Sequence, residues 1–361
     1  MDLGDVTEQI LRNCHISDAR HAGLYSICGL ALRLRDLYKW EMGLPPWQEG
    51  EPSQLLEWIG KKEEVWDHQA EEDFTDIVIS HHAYDLFDSA AINAVLEPHG
   101  LFYGAGYVYG MKPTFFLAPI EEVDLVAGHR VYILGKELAR DLLTVPALSQ
   151  NGSVVIRKES AKLFLWNQIM FLKKSARHAL QFSLHRLGLK NQSSDMTRKH
   201  LDILFNTDMA RYIHHELAEM EDRDFAPDIW REIVSAFSHT PIEILARAVK
   251  DLLADTNQQG PLIYLIRERN EPCLGLYVAF LDGMVKALFP EMGEAFLRFT
   301  REGDWNVIED AVSKGHSRAK TRAVALCHIY GAGKQNNDLK GAAKEIEERL
   351  LAPLGVVLRK A

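Results

Sequence analysis

Paired cysteines are missing from this chain. Cys14, Cys28, Cys273 and Cys327 stand apart among 361 residues with no CxxC spacing, which excludes a zinc ribbon and a disulfide framework and predicts a reducing, cytoplasmic setting. No glycine-rich turn follows a strand pattern. Gly331-Ala332-Gly333-Lys334 lacks both the strand and the spacing of a phosphate loop and reads as a helix end. The opening residues carry Asp2, Asp5 and Glu8 in place of a basic stretch and an apolar core, so no secretion signal is expected. The longest apolar run, Cys273 to Leu281, is too short to cross a bilayer. Low-complexity segments and a fixed repeat period are also missing, which disfavours disorder and a helical solenoid.

What is present is a globular balance, 47% hydrophobic and 25% charged, with length enough for two domains. The net charge of -10 conceals two opposed blocks: residues 157–199 hold ten basic side chains against two acidic, whereas residues 41–73 hold ten acidic against two basic. Such blocks govern field and partner choice rather than fold. The basic block either receives an acidic protein or a phosphorylated ligand, or faces acidic segments of the same chain. Nucleic acid is disfavoured, because the whole chain is acidic and aromatic residues do not interleave with the basic ones.

Periodicity predicts a helix from Ser17, as N-cap, to about Glu41, and a second from Ser53 to about Asp73. Asp76 to Ile79 reads as a buried strand, Ser80 as the N-cap of a helix over His81–Glu97, and Leu101 to Gly110 as a strand with Tyr103, Tyr107 and Tyr109 on one face and glycines on the other. Further strands are expected at 114–117, 130–134 and 153–157, the last after an Asn151-Gly152 turn. The run Phe74 to Val108 resembles the later half of a nucleotide-type methyltransferase domain. That family requires a glycine-rich turn after its first strand, and the preceding residues here read as helices, so the resemblance is not adopted. From residue 159 one long basic helix is expected to run to 187, followed by further helices starting near Met196, Pro227, Pro241, Glu291, Asp304 and Asp338. The fold class that follows is α+β: a mixed α/β domain over residues 1–157 and a mostly α-helical domain over 158–361.

Two histidine pairs carry the chemistry that the sequence offers. His81-His82 with Asp85 would sit in the first turn of a helix after a strand, sharing a face at spacings of three and four, where ligand sites of open sheets lie. Tyr103, Tyr107 and Tyr109 would line the same cleft. The second set is His214, His215, Glu216 and Glu219, with Glu216 inside the apolar arc of its helix, where a carboxylate needs a cation or a hydrogen bond. Imidazoles with carboxylates bind divalent metals or move protons near neutrality; a salt-bridged helix face is the structural alternative. Lys173, Lys174 and Arg177 are the candidate anion- or partner-binding residues. The functional expectation is a cytoplasmic ligand- or metal-binding protein, or an enzyme, with its site near the His81-His82 turn. The alternative is a non-catalytic adaptor that docks through the basic helix 159–187.

Overall fold

A computed structural model describes residues 3–189 and 193–355. The chain divides into two compact units. One holds the chain through Val108 together with Lys112–Met170, and the other holds Tyr109–Met111 together with the chain from Phe171 onward. The first combines sheets with helices and the second is mostly helical, so the α+β class holds. Among the described residues no helix is long and apolar enough to cross a membrane.

The first unit begins with helices α1 (Leu3–His21), α2 (Ile27–Glu41) and α3 (Pro52–Gln69). A hairpin of β1 (Ile77–Ile79) and β2 (His82–Tyr84) comes next, then α4 (Ser89–Leu96). Strands β3 (Leu101–Tyr107), β4 (Pro113–Val126), β5 (His129–Leu134), β6 (Ala139–Arg140), β7 (Ala147–Gln150) and β8 (Ser153–Arg157) precede α5 (Lys158–Met170). The main sheet has the order β3-β4-β5-β8-β7, with β6 beside β4. Its pairs are antiparallel except β5 with β8.

Alternation on β3 and β4 divides the core. Leu101, Tyr103, Phe115 and Leu117 pack against Val6, Ile10 and Cys14 of α1 and Ile92 of α4. Phe102, Phe116 and Ala118 turn to the opposite face, with Tyr132, Leu134 and Val155. Gly104 of β3 is not bare to solvent for ligand approach. A Cβ on Gly104 would stand 2.0 Å from the Phe116 ring across the strand pair, so glycine is what admits that ring. Lys112 is fully buried, with Nζ 3.0 Å from Asp18 Oδ1 and 2.9 Å from Asp141 Oδ2.

Three local expectations are corrected. Ser17 and Asp18 lie buried within α1 and start no helix; Ser26 caps α2 by accepting from Gly29 N. The residues over His81–Glu97 are not one helix. Ser80 and His81 adopt positive φ (48° and 70°) and turn β1 back onto β2, pairing Ile79 with His82, while Asp88 caps a helix that starts only at Ser89. The sequence Ile-Val-Ile-Ser-His-His-Ala-Tyr hides this turn because neither central residue is glycine or asparagine. The segment 159–187 is likewise two helices, α5 and α6 (Arg177–Arg186), separated by an extended Lys173. Each buries its apolar residues within its own unit: Leu165 and Trp166 in the first, Leu180 and Leu184 in the second.

The helical unit continues through α7 (Ser194–Lys199), α8 (Leu201–Glu221), α9 (Pro227–Ala236), α10 (Pro241–Thr256), α11 (Pro261–Glu268), α12 (Glu271–Phe280), α13 (Gly283–Leu288), α14 (Pro290–Glu302), α15 (Trp305–Gln335) and α16 (Leu339–Ile346). Four of these, α9, α10, α11 and α14, begin on proline, whose fixed φ suits the first helical position. α10 packs against both α8 and α15. Its Ile242, Leu245, Val249, Leu252 and Leu253 are buried almost completely.

Candidate metal centre

The hairpin scatters the first predicted site. His81 stands exposed at the turn, His82 Nδ1 lies 3.2 Å from Ser80 O, and Asp85 accepts from Phe87 N at 2.7 Å. Among the described residues neither ring bonds to Asp85, because on a strand and turn the helical spacing that would align them does not operate. Tyr103 and Tyr107 do not share a surface either. Tyr103 is wholly buried and donates its hydroxyl to Leu86 O at 2.8 Å; Tyr107 is half exposed and stacks on Phe87; Tyr109 belongs to the helical unit. His81 does line a cleft of about 810 Å³ with Gln9, Arg12 and His15 of α1 and with Gln69. His15, half-buried beside Lys62, has its pKa lowered to about 4, by burial first and then by that ammonium.

The basic candidates fall across the break between α5 and α6. Lys173 pairs with Asp282 of the same unit at 2.6 Å, Lys174 opens a single 3-10 turn, and Arg177 begins α6. They do not form one face of one helix.

The second histidine pair is where polar groups converge. α8 carries His215 and Glu219 four residues apart, hence on one face, and α10 presents Lys250, Asp251 and Asp255 beside them. His215 Nδ1 lies 2.7 Å from Asp255 Oδ1, and Asp255 Oδ2 accepts the Tyr277 hydroxyl of α12 at 2.9 Å. This fixes the ring, with Nδ1 as donor and Nε2 turned toward Glu219 Oε2, 3.6 Å away. Glu219 Oε1 takes the Lys250 ammonium, which also sits 4.1 Å from the Trp230 ring. One ligand atom each from His215, Glu219 and Asp251 lie within 4.8 Å of one another. His214 is not part of this set: its ring stacks on Tyr264, 3.9 Å between centroids, and burial lowers its pKa.

The electrostatics of the cluster are unbalanced. Glu216 is 9% exposed, as its place in the apolar arc predicts, yet among the described residues neither Glu216 nor Asp251 makes a hydrogen bond or an ion pair. Burial, reinforced by neighbouring carboxylates, pushes Glu216 up to about 7 and Asp251 up to about 6. Glu219 goes the other way: burial is overcome by His215 and Lys250, which hold it at about 2. His215 is raised well above the ordinary imidazole range, since its bonds to Asp255 and Glu219 outweigh desolvation. Four carboxyl groups thus share two cationic side chains in a desolvated place, an arrangement that a further positive charge would relieve.

Asp251, Asp255, Lys250 and Tyr277 escape the sequence reading. The signal that marks them is the pair Asp251 and Asp255, four apart on α10 and flanking the buried Leu252, Leu253 and Ala254.

A family model described as "Family of unknown function (DUF6866) N-terminal domain" matches residues 5–157, and the corresponding C-terminal domain model matches residues 162–351. No curated protein and no solved structure matches the chain.

Proposed function

We propose that this chain, which belongs to the DUF6866 family of unknown function, is a metal-binding protein whose helical unit holds a divalent cation between α8 and α10. The observation that carries this reading is the approach of His215, Glu219 and Asp251 ligand atoms to within 4.8 Å, from two packed helices. Asp255 supports it by accepting the hydrogen bond that Nδ1–H donates, which leaves Nε2 as the metal-facing nitrogen, the arrangement found behind metal-bound imidazoles. One imidazole with two carboxylates suits manganese(II), iron(II) or zinc(II) better than a purely oxygen-seeking ion. The four cysteines are free, which supports a reducing, cytoplasmic setting.

Titration calorimetry of the chelator-treated full chain with manganese(II) and zinc(II) tests the proposal. One site is expected, lost in His215→Ala and Asp251→Asn. Failure of both the wild-type chain and a Lys250→Met variant to take up either ion removes it.

A second reading is favoured by the cleft beside His81, whose lining includes the buried Gln69 Oε1 with no partner among the described residues. A small polar ligand with a hydrogen-bond donor suits that oxygen. Ligand screening by melting shift, with Gln69→Leu as the control, separates it from the metal reading. The adaptor reading has less support, because the basic residues are divided by the helix break and Lys173 is already paired within the chain.

A further inference from the structure

We infer that Lys250 is a tethered competitor of the metal, an internal cation that occupies Glu219 when no metal is bound and so sets a threshold of metal concentration for filling the site. This rests on the metal reading above and adds how the site is regulated. The geometry is specific. Glu219 uses its two oxygens differently, Oε1 for the Lys250 ammonium and Oε2 toward His215 Nε2. A cation bound by His215, Glu219 and Asp251 would share this carboxylate with the ammonium, and two positive charges on one carboxylate repel at a distance where screening by water is weak.

Lys250 also has somewhere to go. Its Nζ lies 4.1 Å from the Trp230 ring, and its side chain is 15% exposed. A flexible four-carbon stem lets the ammonium withdraw from Glu219 while keeping the aromatic face, so the cation–π attraction already present is retained. Arg247, the neighbouring cation over the same ring at 5.6 Å, is bonded to Glu243, four residues before it on α10. Lys250 is therefore the cation that directly contacts a ligand of the proposed metal. A merely structural ion pair would show a different pattern: its removal would weaken the fold and leave the metal site no better.

The test compares the wild-type full chain with Lys250→Met, which keeps the stem and removes the charge, by calorimetric titration with manganese(II) at fixed ionic strength. Lys250→Met should bind at least about tenfold more tightly at unchanged stoichiometry, the scale expected for removing one close like charge. The wild-type chain should also show a metal-dependent change in tryptophan emission that disappears in Lys250→Met and in Trp230→Phe. If Lys250→Met is poorly folded, Lys250→Gln is read in the same way. A variant that binds manganese(II) no more tightly than a wild type that does bind overturns the competitor role while leaving the metal reading intact. Binding by the variant alone supports both. Binding by neither chain overturns both.

Discussion

His215 Nδ1 lies 2.7 Å from Asp255 Oδ1, and the opposite oxygen of that carboxylate is held by the Tyr277 hydroxyl at 2.9 Å. Three helices thereby fix one imidazole ring. Asp255→Asn keeps the shape but weakens the hold on the Nδ1 proton. Metal affinity is expected to fall about 10- to 100-fold, the usual effect of losing such a supporting group. Tyr277→Phe leaves Asp255 short of a donor and is expected to cost about 1–3 kcal/mol in stability. Calorimetry and denaturant melts check the two effects separately, and an Asp255→Asn chain with wild-type affinity would place the metal elsewhere.

Among the described residues Glu216 is buried without a hydrogen bond or an ion pair, so its ionised form is a burden to the folded chain. Its folded pKa of about 7 lies above the ordinary carboxylate value of 4.5, so the folded chain binds the extra proton and this group's contribution falls as pH rises from about 4.5 to 7. Glu216→Gln is expected to raise stability at pH 8 by roughly 1–3 kcal/mol and to change little at pH 4.5. Urea melts of both chains at the two pH values decide it; a destabilised Glu216→Gln at pH 8 would show that the carboxylate is paired after all.

Much of the architecture is written locally. The alternation of Leu101–Tyr107, the Asn151-Gly152 turn and the prolines at helix starts each carry their structure within a few residues. Glu216 likewise declares its burial through its place among apolar neighbours on α8. What stays hidden depends on residues far apart in the chain. Ser80 and His81 take up positive φ without a glycine because β1 and β2 pair around them. The break after Met170 has no proline or glycine to announce it. Asp255, which bonds His215, and Asp251, which lies near it, stand 40 and 36 positions away on a helix whose buried leucines draw attention from its two aspartates.

Lys112 with Asp18 and Asp141 makes a buried ion triad in the first unit, and burial pushes Asp18 up to about 7 despite the ammonium. Lys112→Met strands the two carboxyl groups and is expected to cost about 3–5 kcal/mol, while Lys112→Met combined with Asp141→Asn should recover part of it. Thermal melts check this, and a single variant within a degree of wild type would contradict the burial.

His15 has a folded pKa of about 4 against an ordinary 6.5. The unfolded chain therefore takes up the proton first, and stability drawn from this residue is fully present above pH 6.5 and is lost as pH falls toward 4, by about 3 kcal/mol at most. His15→Gln should flatten the acid limb of the stability profile relative to wild type. Parallel acid limbs in the two chains would show that His15 does not contribute.

Anomalous diffraction from crystals of the full chain soaked in manganese(II) locates the bound ion. A peak bounded by His215 Nε2, Glu219 and Asp251 is expected, with Lys250 withdrawn from Glu219. A peak at the His81 turn alone, or no peak in crystals that leave the α8–α10 cluster open to solvent, would contradict it.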